Sequence, residues 1–481
     1  MDWPTIWLIA EIVAIAGYVL GFWAACHAIM YKRDPRSAGV WVLLCIMLPL
    51  VGAWLYWNVG INRMERRAVR RFGRRIRPFR AEAVRESPAD ALDGSVAIGH
   101  LKPLRVVADR VTRFPLLAGN SVVPLHNGEQ TYPRMLKAID EAERSLTMAS
   151  YIFRWDDVGQ TFADALERAA RRGVRVHLLV DGVGAVESFS RMGRRLLKTG
   201  VELASFFPLR FPFGRLRINL RNHRKILVAD GRIGFTGGMN IGADHYVDRG
   251  GPKVVEDLQF EITGPVLAEL QHTFVEDWAL ATEVVLDGEA YFPELKPTGE
   301  AMCRGIVSGP DADFEMIHWI LLGAVSAATK SVWIATPYFV PTSPLIAALA
   351  MASMRNVRVT LFLPSVLDYP SLGWAADAYL WQLLEHGVRV YRRGPPFVHT
   401  KLVIVDDRWL MFGSANMDRR SFRLNFEFNV EAYDETLARS LAGWMEGLIP
   451  ISKEVTLREM DARPHWRRFR DGFMKMFSPH L

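Results

Sequence analysis

Hydrophobic and polar positions divide the chain into two regimes. Ile6 to Met30 is apolar apart from Glu11 and His27, and Ala38 to Gly60 carries no charge. Each stretch is long enough to cross about 30 Å of hydrocarbon, so residues 1–60 are expected to form a transmembrane hairpin. An acidic group at mid-bilayer costs about 3 kcal/mol, but Glu11 lies only about 7.5 Å along a helix starting at Ile6. Trp41, Trp54, Tyr56 and Trp57 sit towards the ends of the second stretch, as in an interfacial belt. A cleaved signal peptide competes for the first stretch, although MDWPTIW has no basic leader and a second apolar run follows. A buried helical hairpin of a soluble protein is the other alternative.

From about Leu116 the pattern changes to short β-branched runs alternating with helical periodicity, and it repeats. SLTMASYIF (145–153) echoes SVWIATPYF (331–339), RRGVRVHLLVDG (171–182) echoes MRNVRVTLFLPS (354–365), and LLKTGVEL (196–203) echoes LLEHGVRV (383–390). The order strand, helix, strand, helix occurs twice, which predicts an α/β fold of two repeats, each with a central sheet flanked by helices. The expected boundaries are 1–60 for the hairpin, 61–115 for a basic juxtamembrane linker, 116–295 for the first repeat and 296–481 for the second.

Charge adds topology. The short connection YKRDPRS is followed, beyond the second apolar stretch, by NRMERRAVRRFGRRIRPFR (62–80). That arginine excess is expected to stay on the cytoplasmic side, with both repeats and the N-terminus. It would also draw the chain to anionic lipid at about 1 kcal/mol per basic residue. The net charge of +7 across 481 residues favours an anionic partner, but does not distinguish nucleic acid, acidic bilayer or phosphorylated substrate. Three cysteines, Cys26, Cys45 and Cys303, support neither a disulfide framework nor a cysteine zinc site.

The duplication is sharpest in NHRKILVADGRIGFTGGMN and VHTKLVIVDDRWLMFGSANMD. Both read His-x-Lys, four residues, Asp, six residues, Gly-Gly or Gly-Ser, one residue, Asn: His223, Lys225, Asp230 and Asn240, then His399, Lys401, Asp406, Ser414 and Asn416. Residues two apart on a strand share a face, so each His and Lys can address one ligand. Asp230 and Asp406 fall at the strand ends, where a role in turn geometry is expected. Phosphodiester exchange needs a nucleophile, an acid, a base and positive charge around the equatorial oxygens, and two histidines with two lysines provide all four. A nucleophilic imidazole also needs an acceptor for its second nitrogen. Asp257 and Glu427 follow the two motifs as candidates, with ordinary surface acids as the alternative reading.

These paired motifs resemble the HKD motifs of the phospholipase D superfamily. GGMNIGADHY, GSANMDRRSFRLNFE and LPLVGAWLYWNVG further resemble bacterial cardiolipin synthases, across nearly the whole chain. The resemblance implies two halves paired about a pseudo-twofold axis, with His223 as nucleophile and His399 as acid and base, or the reverse. It implies no metal and no other cofactor, with Lys225, Lys401, Asn240, Ser414 and Asn416 holding or orienting the phosphate. The implied reaction is phosphatidyl transfer between two phosphatidylglycerol molecules through a covalent phosphohistidine, at the bacterial inner membrane, without nucleic acid. The tract VDRGGPKVVEDLQFEITG departs from the family pattern in lacking a tryptophan shortly before Asp257. A membrane phospholipase D, a nuclease of the superfamily and a non-catalytic scaffold are the rival readings. Two basic, aromatic segments, FFPLRFPFGRLRINLRNHRK (206–225) and HWRRFRDGFMKMF (465–477), suit either an interfacial position or ordinary packing.

Overall fold

The computed structural model describes residues 3–32, 35–60, 98–208, 220–251, 253–310 and 314–476. The arginine-rich tract 61–97 and the core of the aromatic segment, 209–219, lie outside them. Two compact units are present, an N-terminal helical one and a larger α/β one.

In the first unit, α1 (Trp3–Tyr31) is, among the described residues, the one helix long and apolar enough to cross a membrane, and most of its apolar side chains are exposed. The second apolar stretch forms two helices, α2 (Pro35–Met47) and α3 (Pro49–Leu55). Pro49 supplies no amide hydrogen and Leu48 leaves helical geometry at φ −133°, so the run is interrupted there. The break is local: Leu48 still donates to the Leu44 carbonyl at 2.9 Å, and the Gly52 amide reaches Leu48 at 2.6 Å. Both α2 and α3 pack on α1 through small residues. A Cβ on Gly21 would lie 2.7 Å from the Cys45 carbonyl, and one on Gly52 2.4 Å from that of Leu44.

The larger unit contains eight strands from the first half of the chain. These are β1 (Leu117–His126), β2 (Ser145–Ser150), β3 (Arg175–Asp181), β4 (Glu202–Phe206), β5 (Ile226–Ala229), β6 (Ile233–Gly237), β7 (Val255–Glu256) and β8 (Leu258–Thr263). The second half adds β9 (Ala301–Ser308), β10 (Ser331–Ala335), β11 (Phe339–Val340), β12 (Arg358–Pro364), β13 (Arg389–Arg393) and β14 (Phe397–Val398). It continues with β15 (Leu402–Val405), β16 (Trp409–Gly413), β17 (Met417–Asp418), β18 (Glu427–Tyr433) and β19 (Ser452–Val455). Fifteen of them form one sheet in the order β19-β13-β12-β10-β15-β16-β18-β9-β1-β8-β6-β5-β2-β3-β4. Seven strands on one side of the β9–β1 junction thus occur in reverse order on the other.

The expectation of a separate central sheet in each repeat is therefore corrected to one continuous sheet. The join is antiparallel, with Leu117 opposite Cys303 and Asn120 opposite Ala301. Pairing β1 with β9 consumes what would otherwise be two exposed strand edges. Nearby, Phe260 of β8 and Phe412 of β16 stack with ring centroids 3.7 Å apart.

The described end of the expected 61–115 linker is not a linker. Lys102–Val111 is a helix whose Leu101, Leu104 and Ala108 flank is fully buried among Ile317, Ile320, Leu321 and Ala324. Apolar side chains at this helical spacing must find a core, and they join that of the second repeat.

Candidate active site

Each His-x-Lys tripeptide lies immediately before a central strand rather than within it: β5 starts at Ile226 and β15 at Leu402. This corrects the expected strand placement. The reason is that the chain here leaves the main ladder and pairs with the opposite repeat. Asn222 bridges Phe426 in parallel, with the His223 amide donating to the Phe426 carbonyl at 2.9 Å. In the same way β14 pairs with β7, Val398 lying opposite Glu256, and the His399 amide donates to the Glu256 carbonyl at 2.8 Å. One residue further along each bridge, a histidine meets a carboxylate.

His223 Nδ1 lies 3.0 Å from Glu427 Oε2, and His399 Nδ1 lies 2.8 Å from Asp257 Oδ2. The carboxylate serving each imidazole thus belongs to the other half of the chain. Both acids are fully buried (Asp257 1%, Glu427 0% exposed), which disposes of the surface-acid alternative. With Nδ1 engaged by an acceptor, each ring keeps its hydrogen there and turns its Nε2 lone pair outward, that of His399 towards the Lys401 ammonium at 3.1 Å. Ser414 supports Glu427, its hydroxyl donating to Oε2 at 2.5 Å, and the Asn425 amide donates to Oε1 at 3.0 Å. At the corresponding first-half position Gly238 leaves no room for a side chain, since a Cβ would lie 2.4 Å from Asp257 Oδ2. The tract without a tryptophan before Asp257 still forms its bridge, Val255 pairing with Phe397.

The lysines are buried beside the histidines. Lys225 Nζ donates to the His223 carbonyl at 2.8 Å, and Lys401 Nζ donates to the His399 carbonyl at 2.5 Å and lies 3.1 Å from His399 Nε2. Burial pushes Lys225 down to about 7 and Lys401 down to about 8, against the pull of Glu427 and Asp257. Burial also lowers both imidazoles. For His223 the Glu427 carboxylate opposes the shift, whereas Lys401, Lys225 and His223 push His399 further down, well below the ordinary value. An anion arriving among these groups favours their protonated forms.

Asn240 uses its side-chain oxygen to accept the Ile152 amide at 3.2 Å, which leaves its amide nitrogen as the donor end. Asn416 Oδ1 is buried without a hydrogen-bond partner among the described residues. Asp230 and Asp406 are not brought to the histidines. Seven residues downstream of each, they stand roughly 20 Å away along an extended chain. Asp230 accepts the amides of Glu143, Arg144 and Ser145 at 2.7–2.9 Å. Asp406 accepts those of Thr329, Lys330 and Ser331 at 2.7–2.8 Å. Each residue adopts positive φ, 52° and 54°, closing the turn that follows its strand and tying it to the start of β2 or β10. Their part is structural.

Among the described residues, sequence reasoning missed two kinds. Tyr151 and Tyr338, at matching places in the duplicated SYIF and PYF stretches, set their rings 5.0 Å and 6.4 Å from His223 and His399. Their recurrence beside an aligned strand was the available signal. The second kind is a buried polar frame around the first motif only. Asp181 accepts the Asn222 amide at 2.9 Å, Asn222 Nδ2 donates to Asp277 at 2.8 Å, and Arg224 pairs with Asp277 at 2.5 Å. Arg224 also donates to the Glu427 carbonyl at 3.1 Å. The strand and helix that contribute Asp181 and Asp277 are distant in sequence, and nothing in their local composition marks them.

Residues 135–278 and 321–449 match the family model described as "Cardiolipin synthase, PLD-like domain". Residues 19–60 match "Phospholipase_D-nuclease N-terminal". The chain is 31% identical over 495 aligned positions to cardiolipin synthase 1 of Staphylococcus epidermidis, covering 100% of both chains. It is 35% identical to cardiolipin synthase A of Pseudomonas aeruginosa, covering 91% of this chain and 89% of that one. A phosphatidylserine synthase from Haemophilus influenzae shares the fold, with a TM-score of 0.62 and 16% identity, covering 79% of this chain and 100% of that structure.

Proposed function

The chain belongs to the cardiolipin synthase family of phospholipase D-like proteins, and from that we propose that it joins two phosphatidylglycerol molecules into cardiolipin and glycerol through a covalent phosphohistidine. The observation that carries this reading is the pair of buried imidazoles, each with Nδ1 on a carboxylate from the opposite repeat, with His399 Nε2 beside the Lys401 ammonium at 3.1 Å. His223 Nε2 attacks the phosphorus of the donor, whose bond to glycerol oxygen breaks as His399 Nε2 delivers a proton to the leaving alcohol. His399, now neutral, takes the proton from a hydroxyl of the second phosphatidylglycerol. That oxygen attacks phosphorus, and the bond to His223 breaks.

Lys225, Lys401, Asn240 and Asn416 hold the equatorial oxygens, and Ser414 steadies Glu427 behind the nucleophile. Glu427 stabilises the imidazolium that forms on His223, and Asp257 does so for His399. Support for His223 as the nucleophile comes from the buried hydrogen-bonded frame of Asp181, Asp277 and Arg224 around that motif. The two repeats, 116–295 and 296–481, are related by a pseudo-twofold axis, as the reversed strand order and the two matching cross-repeat bridges suggest. The α1 helix and the Pro49-broken run α2–α3 cross the bacterial inner membrane as a hairpin. The arginine-rich tract after Gly60 holds both repeats on the cytoplasmic face.

Transfer must outrun hydrolysis. An acceptor hydroxyl held in attack geometry reaches an effective molarity of about 10⁵ M or more, well above that of water. The test is to incubate the full-length protein in detergent with labelled phosphatidylglycerol, with and without His399→Ala, and resolve the lipids by mass. Cardiolipin from the unaltered protein alone is the expected result. Phosphatidic acid alone would make the protein a phospholipase D, and no lipid product would overturn the lipid assignment.

A further inference from the structure

The helix His465–Met476 takes no part in the chemistry. It lies along the helix Pro370–Leu384. The Arg470 guanidinium sits 4.3 Å from the Trp374 ring centroid and the Lys475 ammonium 4.4 Å from that of Tyr379. Met474 packs on the core of the second repeat, and the buried Asp471 accepts from Arg470 at 2.7 Å. This face is satisfied by the fold. The opposite face is open to its surroundings, with Trp466, Phe469, Phe473 and Met476 being 60, 76, 48 and 71% exposed. Spacings of three, four and three residues place them in one stripe about 80° wide. Arg467 and Arg468 are exposed on the same helix. Scattered apolar side chains on a surface need no explanation, but an aligned row of four on a helix already docked by its other face does.

We propose that this stripe is the surface by which the catalytic unit docks on an anionic bilayer, so that the site is offered to lipids that remain in the membrane. The proposal rests on the reading of the chain as a phosphatidyl transferase. Tryptophan and phenylalanine backed by arginine match the acyl boundary and the anionic headgroups of such a surface. The helix that supports the stripe leads towards the site. It begins beside Tyr369, which is 61% exposed and lies 6.4 Å from Tyr338, whose ring in turn is 6.4 Å from His399. A two-chain lipid lifted bodily into water would expose its acyl methylenes. Docking along this helix pair lets the phosphate rise to the histidines while the chains stay immersed.

The test uses the full-length chain in nanodiscs of phosphatidylglycerol and phosphatidylcholine. Cys26→Ser leaves the buried Cys45 and Cys303, and a nitroxide is placed through Phe469→Cys or, as a control, Arg171→Cys, whose side chain is 71% exposed in the first repeat. Power-saturation spectroscopy compares access to dissolved oxygen with access to a water-soluble nickel chelate. The oxygen-to-nickel ratio is expected to be about tenfold higher at 469 than at 171, and to fall towards the control when Arg467→Glu and Arg468→Glu are introduced. Equal ratios at both positions would overturn the proposal. So would spin–spin broadening at 469 that vanishes on dilution with unlabelled chain, which would show a second copy covering the stripe. The measurement needs no catalysis, so failure to make cardiolipin would overturn the enzymatic reading and leave the docking result standing.

Discussion

Replacing Glu427 by glutamine tests the most consequential contact in the site. The carboxylate accepts three hydrogen bonds, from His223 Nδ1 at 3.0 Å, Ser414 at 2.5 Å and Asn425 at 3.0 Å. A carboxamide of the same shape cannot accept all three. If its oxygen faces His223, its nitrogen opposes the Asn425 amide; if reversed, it donates to Nδ1 and shifts the imidazole hydrogen to Nε2, disabling the nucleophile. The lost charge matters more. A charge-assisted bond contributes about 1.5–3 kcal/mol, and two unit charges about 4 Å apart interact by roughly 4 kcal/mol at an effective dielectric near 20. A loss of about 3–4 kcal/mol in the transition state corresponds to a fall of about 10²–10³-fold in the rate of covalent attachment. The assay is rapid-quench trapping of the lipid-linked enzyme. The pH profile adds a signature that misfolding would not give. Glu427 raises His223, so its loss should move the acid limb, where His223 must be neutral, to lower pH. An attachment rate within about threefold of the unaltered protein, with an unmoved profile, would refute the pairing of Glu427 with the nucleophile.

Asp257→Asn should slow natural turnover to a similar degree but leave attachment from a p-nitrophenyl phosphodiester fast, since that leaving group needs no acid; slow attachment there would place His399 in the first step differently. Binding of orthovanadate near pH 8 should take up protons, because an anion restores charge on Lys225 and Lys401, which burial holds at about 7 and about 8. Affinity should weaken as pH rises through these values, and calorimetry in buffers of different ionisation enthalpy reads the uptake directly. Asp406→Asn should destabilise the fold by about 3 kcal/mol in chemical denaturation, with little effect on chemistry per folded molecule. Burial works against ionisation of Asp406, but the amides of Ser331, Thr329 and Lys330 outweigh it and hold the group below its ordinary range. Its contribution is therefore complete above the unfolded value near 4 and disappears as pH falls through the lowered folded one.

Much of the site was legible because the chemistry is duplicated. His223, Lys225, His399 and Lys401 stand at fixed offsets in two aligned stretches, and the Asp residues five places on were readable as turn formers; Asp230 and Asp406 each accept backbone amides at the start of a neighbouring strand. The carboxylates were legible as positions but not as partners. Which imidazole each serves depends on bridges between residues 204 and 142 apart in sequence, and no local pattern encodes a parallel pairing of that range. The same limit hid the β1–β9 join that merges the two sheets. Leu101, Leu104 and Ala108 have helical spacing, yet the basic residues around them read as linker; only the core they enter explains the helix. Pro49 was visible in LPLVG, and its missing amide hydrogen is sufficient cause for the break between α2 and α3.

The central claim is that a phosphatidyl group resides on His223 between two displacements controlled by His399. The most direct measurement is to react full-length His399→Ala protein with a p-nitrophenyl phosphatidyl ester labelled in phosphate, quench in alkali and map the label by mass spectrometry. The account predicts an acid-labile, alkali-stable adduct on the peptide containing His223, absent when His223→Ala is added. Label on another residue, or release of product with no adduct at any time, would contradict it.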